Sequence, residues 1–337
     1  MFRPRLTFAK IPRSVGGVDA LSADKTSCLV TGARGFLGKN LVAFLRRSGK
    51  EVYSLGVRGS DEPKSIEVDL SKDAPDLSGL KFDEVYHLAG LAHQVPRNRK
   101  EKELFNSVNH EGTKRLLVAL EKSKLPKTGI LFLSSVAVYG LDKGEGICEN
   151  HPRKAEDPYG KSKKLAEDAL IRWAKEKKVK YSIVRAPLLA GPNPPGNLGA
   201  LINGLKTGKY LRIGGGFARR SMVAADELAQ FLPTVLKEGG VYHLTDGENP
   251  RLRDIEEAVS LREGRSNPFN LPMPLAFSLA RICDFIQLLT NKPMPLNSQR
   301  LSKMTQSLTF DDSLARDRLN WSCSSVLKRM DWVMSES

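Results

Sequence analysis

From residue 27 to residue 185, short runs of apolar, β-branched residues alternate with longer amphipathic stretches. That alternation predicts βαβ units on a parallel sheet. Strands are expected over 28–30, 52–55, 65–68, 84–88, 130–133 and 181–184. Helices are expected over about 36–47, 103–121 and 158–175. The first runs into Gly49, a natural helix stop. The second gathers Leu104, Val108, Leu116, Leu117 and Leu120 near one face, and the third carries Leu165, Ala169, Leu170 and Trp173.

After Arg185 the texture changes. Pro187, Gly191, Pro192, Pro194, Pro195 and Gly196 crowd into one loop, and a second proline-rich stretch covers 268–274. This predicts a smaller lobe over the sheet edge. The chain then divides into an N-terminal extension, 1–25, a sheet domain, 26–186, and a lobe, 187–337, with some segments returning to the sheet. Within the lobe, Leu275, Leu279, Ile282, Ile286 and Leu289 share one helical face. Core packing is the expected cause. A membrane-surface helix is disfavoured because the stretch lacks a basic polar face.

Charge changes the picture more than composition does. Among 337 residues, 53 basic side chains oppose 38 acidic ones, a net charge of +15. Such a surplus favours a polyanionic partner: nucleic acid, an anionic membrane or a phosphorylated small molecule. No nucleic-acid motif accompanies it, so no nucleic-acid partner is expected. The apolar stretch 272–289 is broken by Arg281 and Asp284, so no membrane span is expected. The N-terminus has no long apolar segment of the secretory kind. Cys28, Cys148, Cys283 and Cys323 stand far apart, and no Cys/His cluster has metal-ligand spacing. Free thiols in a reducing cytoplasm, and no metal, are expected.

The run Thr31-Gly32-Ala33-Arg34-Gly35-Phe36-Leu37-Gly38 closes the first strand and opens the first helix. Glycines at this spacing let backbone approach a diphosphate, which then meets the free N–H groups of a helix N-terminus. The strand-before, helix-after context makes this a dinucleotide-binding turn. The predicted fold is therefore α/β: a Rossmann-type doubly wound parallel sheet with a smaller C-terminal substrate lobe. After the second strand an acid would bond the ribose of NAD, and a base would accept the extra phosphate of NADP. Here Arg58 stands there and no carboxylate comes before Asp61. With Arg34 in the glycine turn, this leans towards NADP over NAD. Asp69 and Leu70, after the third strand, are placed to meet the adenine.

Tyr159 and Lys163 lie four residues apart, on one helical face. A phenol is a poor base at neutral pH, but a nearby ammonium and an oxidised nicotinamide would both favour its phenolate. Tyr159 could then take a proton from a sugar hydroxyl as hydride leaves the carbon. Lys163 would also hold the nicotinamide ribose. Ser135 ends the apolar run from Leu131, at the carboxyl end of a central strand, where open α/β sheets bind ligands.

These residues resemble the extended short-chain dehydrogenase/reductase family, in its NAD-dependent epimerase/dehydratase branch. Its TGxxGxxG turn matches Thr31 to Gly38, and its HxAG strand end matches His87-Leu88-Ala89-Gly90. Its N-x-x-GT helix matches Asn109 with Gly112-Thr113, and its SS-x-x-VYG segment matches Ser134 to Gly140. Tyr159 to Lys163 matches YxxxK, and Arg185 with Pro187 matches Arg-x-Pro. More loosely, Asn197 resembles the family's diphosphate-binding asparagine. Arg220 resembles its phosphate-clamping arginine, with Arg219 the shifted alternative, and residues 318–321 resemble its C-terminal LGW element. The resemblance implies hydride transfer at C4 of a nucleotide-diphosphate sugar, most simply a UDP-sugar, by a 4-epimerase or a 4-keto reductase. It implies a homodimer paired through the helices around 109–121 and 158–175. A non-catalytic NADP-binding sensor or scaffold is the alternative on the same fold. Val136-Ala137 replace the acid pair of the family's dehydratases, which disfavours dehydration.

Overall fold

The computed structural model describes residues 25–57, 64–92, 94, 96, 98–290 and 297–335. Nearly all of the N-terminal extension, and Arg58, lie outside the described residues. Seven parallel strands form the main sheet: β1 Ser27–Thr31, β2 Glu51–Gly56, β3 Ser65–Glu67, β4 Glu84–His87, β5 Gly129–Ser135, β6 Tyr181–Ala186 and β7 Gly240–Tyr242. Their spatial order is β7-β6-β5-β4-β1-β2-β3. The six predicted strands are all present, within two residues at each end. β7 was not in the predicted set. It comes from beyond the proline-rich loop and pairs with β6, Gly240 opposite Ser182.

The helices in chain order are α1 Phe36–Arg47, α2 Arg99–Phe105, α3 Gly112–Lys122, α4 Pro158–Lys177, α5 Gly196–Lys206, α6 Ala225–Glu238, α7 Leu252–Arg262, α8 Met273–Thr290, α9 Ser298–Thr305, α10 Ser313–Leu319 and α11 Met330–Val333. Between α2 and α3 the turns widen to π geometry over Asn106–Glu111. The predicted second helix therefore begins four residues early. Asn98 caps it by accepting from Glu101 N at 2.9 Å. Asp157 caps α4 by accepting from Gly160 N at 3.0 Å, with Pro158 in the first turn.

β1 is buried along its whole length. Cys28 and Val30 join the core made with α1 and α6, while Leu29 joins the core made with α3 and α4. Alternate residues of one central strand thus bind helix layers on both faces. Leu116 and Leu170, on the helices proposed for dimer pairing, are fully buried in that second core. They serve packing within one subunit. A third core joins Leu198, Ile202, Ile255 and Val259 to Val326 and Met330 near the C-terminus. Asn320 stands where the resembled element has glycine. Its φ of 55° is left-handed, a conformation asparagine tolerates at helix ends, and Trp321 beside it donates to Thr245 O at 2.8 Å.

All four cysteines are free thiols. Among the described residues no group of three His, Cys, Asp or Glu side chains could hold a metal.

The structure overturns the expectation of core packing for 275–289. α8 is a helix, but the side chains it buries are Ala276 and Ala280, which pack with Leu301 of α9. The large apolar residues point outward instead: Leu279, Ile282, Phe285 and Leu289 are all exposed. The two alanines lie about a quarter turn or more from that stripe, so seating them on α9 turns the stripe away from the lobe. By length and composition α8 could also cross a membrane.

Candidate active site

The glycine turn lies between β1 and α1. Gly32 has φ +67°, and a Cβ there would fall 2.7 Å from Ala89 N. A Cβ on Gly38 would fall 2.1 Å from Gly32 O, so the helix can close on the turn only with glycine there. Arg34 and Gly35 are exposed, Phe36 is half-buried and Leu37 belongs to the core. A cradle this tight, opening onto a helix N-terminus, suits a diphosphate.

A buried relay fixes the strand ends around it. Thr31 Oγ1 lies 2.7 Å from His87 Nδ1, and His87 Nε2 lies 2.9 Å from Thr113 Oγ1. Ala89 N donates to Thr31 Oγ1, and Thr113 Oγ1 donates to Asn109 O at 2.6 Å. With those roles taken, the network assigns the proton to His87 Nε2. Burial, and then the Lys163 charge, hold His87 down at about 3, so it stays neutral. The relay ties β1, β4 and the π turn together and sets where Leu88, Ala89 and Gly90 lie.

Those residues lead to the lysine. A Cβ on Gly90 would lie 2.9 Å from Lys163 Nζ and 3.0 Å from Asn109 Oδ1. Asn109 is fully buried. Its amide donates to Leu91 O and Ser162 Oγ, and its oxygen accepts from Leu91 N. Lys163 donates to Leu133 O at 2.8 Å, and its Nζ stands 4.5 Å from the centre of the Phe132 ring. Burial pushes this lysine down to about 8, against the pull of Glu167.

Tyr159 is placed by glycine packing as well. A Cβ on Gly160 would lie 2.4 Å from Ala137 O, so the start of α4 sits directly on the turn that follows Ser135. The Tyr159 ring meets Phe105 edge-on, with centroids 6.1 Å apart. Burial pushes its phenol up, a hydrogen bond with Ser135 pulls it down, and the Asp157 charge pushes it up again. The expected direct effect of Lys163 on the phenol is not among these influences; its ammonium donates to Leu133 O. Ser135 and Ser134 separate cleanly. Ser135 is half-buried and accepts from Ala137 N, whereas Ser134 is buried and donates to Glu167 Oε1 at 2.5 Å. The structure thus brings Tyr159, Ser135, Lys163 and Gly90 to one end of the sheet.

Glu167 escaped the sequence reading. It is fully buried and bonded to Arg185 Nη2 at 2.8 Å and Arg153 Nη1 at 3.0 Å. Arg185 also donates to Tyr139 Oη, which lies 2.7 Å from His243 Nε2. A glutamate one helical turn after Lys163 was the available signal.

The remaining predicted residues lie apart from this cluster. Asp69 closes its own turn, accepting from Ser71 N at 3.0 Å, and hydrogen bonds from the Ser71 hydroxyl and then its N–H hold it below the usual carboxylate range. Leu70 is buried and its carbonyl accepts from Arg115. Asn197 is exposed in the first turn of α5. Arg220 donates to Gln306 O at 2.6 Å and Lys303 O at 2.5 Å, at the end of α9. Arg219 donates to Asn249 O.

Residues 28–244 match the model of the NAD dependent epimerase/dehydratase family. The chain belongs to that family. Among its relatives is the N-acetyl-alpha-D-glucosaminyl-diphospho-ditrans,octacis-undecaprenol 4-epimerase of Escherichia coli O157:H7, 28% identical over 84% of this chain and 86% of that protein. Another is the UDP-glucose 4-epimerase of Vibrio cholerae, 27% identical over 74% of this chain and 79% of that one. The structure of UDP-glucuronic acid 4-epimerase from Bacillus cereus, in complex with NAD, superposes with a TM-score of 0.70 at 21% identity, covering 92% of this chain and 97% of that one. At that identity the likeness establishes the fold. The family uses NAD(P), and the lean towards NADP gains no support from these comparisons.

Proposed function

We propose that this protein is an NAD(P)-dependent 4-epimerase of diphosphate-linked sugars, with Tyr159 as acid and base, Ser135 polarising the sugar oxygen and Lys163 holding the nicotinamide ribose. One observation carries this reading: Tyr159, Ser135 and Lys163 converge beside the glycine turn at the carboxyl ends of β4 and β5. The dinucleotide would accept hydride from C4 and return it to the other face. The chain's own contribution is proton handling and placement. Ser135 shares a hydrogen bond with the Tyr159 phenol, so both can address one hydroxyl oxygen. Lys163 is buried and near the pH range where it can lose its proton, so a second partner on the ribose would keep it charged. One of the relatives named above acts on a sugar carried by UDP and the other on a sugar carried by undecaprenyl diphosphate, by their names. The shared chemistry is a diphosphate. A 4-keto reductase would use the same residues once and release the cofactor.

The deciding experiment is proton NMR of the sugar H4 after incubation with UDP-glucose, UDP-N-acetylglucosamine or a polyprenyl-diphosphate N-acetylglucosamine, with NAD⁺ or NADP⁺. Appearance of the 4-epimer with either carrier is the expected result. No turnover of any of them, with either cofactor, would defeat the proposal.

Asn197 and Arg220 are proposed as diphosphate ligands. A phosphate would compete with the Gln306 and Lys303 carbonyls for the Arg220 fork. Arg220→Lys should weaken UDP binding roughly tenfold, as the loss of one charge-assisted hydrogen bond implies. Calorimetry should find NAD(H) and NADP(H) affinities unchanged. Unchanged UDP affinity would remove Arg220 from the site. We also propose a homodimer, resting on the resemblance. Because Leu116 and Leu170 are internal, its contact would use outward residues such as Leu104 and Val118. Sedimentation at micromolar concentration should give twice the chain mass, and a monomer would discard this arrangement.

A further inference from the structure

α8 is packed inside out. Its two buried residues are alanines, and its large residues face away from the protein. Phe285 and Leu289 are 61% and 69% exposed. The patch continues onto the neighbouring ribbon, in which Arg212–Ile213 pairs with Asn270–Leu271 and Phe269 is 71% exposed. Leaving such a contiguous apolar surface in water is costly, and in soluble chains it marks a docking face. The charge around it indicates what docks. Among the described residues of 262–303, Arg262, Arg265, Arg281, Arg300 and Lys303 stand against Glu263 and Asp284, with Arg262 paired to Asp331 and Lys303 to Asp142. An apolar stripe on a segment with a basic surplus, in a chain of net charge +15, suits a bilayer with anionic headgroups, where apolar burial and electrostatic attraction act together.

From this geometry we infer that α8 and the adjoining ribbon form a docking face for an anionic membrane surface. The helix lies in the interface and does not cross it. Its 18 residues, about 27 Å at 1.5 Å per residue, stand at the short limit for a hydrocarbon core of about 30 Å, and they include the charged Arg281 and Asp284. Asp284, midway along it, is committed to Ser298 N and Oγ in the α8–α9 hairpin. Arg220 fastens the far end of that hairpin through the Lys303 and Gln306 carbonyls. A docked α8 would therefore hold the lobe, and the proposed diphosphate residues, close to the headgroup plane. The inference stands whichever carrier bears the sugar, since it concerns surface binding and not turnover.

The test is flotation of the full chain with phosphatidylcholine vesicles containing about a third phosphatidylglycerol, and with pure phosphatidylcholine vesicles. The chain should float with the first, bind the second weakly, and be released as salt is raised. The triple variant Ile282→Glu, Phe285→Glu, Leu289→Glu should lose roughly tenfold or more of the bound fraction, because each change places a charge in the apolar face. Its NAD(H) affinity should match the wild type, which reports an intact fold. Should the triple variant fail that check, the single variant Phe285→Ser provides the same comparison with a smaller loss. Four outcomes would overturn the inference. They are no flotation with anionic vesicles, binding indifferent to lipid charge, binding unchanged in a folded variant, and resistance to carbonate extraction, which would mean a crossing helix. Absence of vesicle binding together with a dimer that the triple variant splits would assign the face to a second copy of the chain.

Discussion

Tyr159→Phe is expected to lower turnover by about 10²–10⁴-fold, the usual contribution of a positioned acid–base group. The ring would stay against Phe105, so the start of α4 should keep its place. Lys163 and the glycine turn are untouched, so cofactor affinity should move little. Calorimetry with NAD(H), beside the NMR assay of epimer formation, separates the two quantities. Turnover near the wild-type value with a true substrate would remove Tyr159 from the chemistry. A matching fall in cofactor affinity would assign it to binding instead. Ser135→Ala should lower turnover in the same assay without affecting the fold, whereas Ser134→Ala removes a buried bond to Glu167 and should register in stability.

Glu167→Ala is expected to destabilise the protein by about 3–5 kcal/mol, because it leaves a buried cation without its counter-charge. Arg185 is only 4% exposed, and Glu167 accepts from both its Nε and its Nη2. Arg153, on the other side of the same carboxylate, is partly in solvent. Arg153→Ala should cost about 1 kcal/mol or less, as surface-side pairs do. Urea unfolding of the two variants gives the comparison. Equal, small losses would mean that the Glu167–Arg185 pair is incidental to the fold. The network continues through Tyr139 to His243, and burial holds that histidine down at about 4. His243 thus stays neutral through the physiological range. A folded pKa below the unfolded one costs no stability above the unfolded value, and stability falls as pH drops below that value towards 4.

The strands and the glycine turn could be read from the chain because their causes are local. β1 must be apolar on both faces to sit mid-sheet, and the turn after it must lack side chains where backbones touch. β7 was not legible: Gly240–Tyr242 follows Gly239, so only Val241 and Tyr242 carry side chains and no alternation can be read. The chain sets Ser134 and Ser135 side by side, and the physical distinction between them appears only with the bond from Ser134 to the buried Glu167. α8 misled for a different reason. Periodicity finds the apolar face of a helix but does not say whether that face meets protein. The small residues between the large ones, Ala276 and Ala280, decided the matter through their fit on Leu301. For Arg220 the chain offers a cation, while its contacts depend on carbonyls more than eighty positions away.

The widened turn at Asn106–Glu111 makes the chain intolerant of a change in length at that point. A π turn holds one more residue than the α-helical path it replaces, and such turns gather at functional sites. Deleting one residue there would restore regular winding with the helices on either side left in phase, and it would re-aim the side chains of the turn itself. Asn109, inside the turn, would lose its bonds to Leu91 and Ser162. Substitutions in this stretch can be absorbed one side chain at a time, but the loss of a residue moves every side chain of the turn at once. The surplus residue lets Asn109 face Leu91 and Ser162 without disturbing the helix before it or after it.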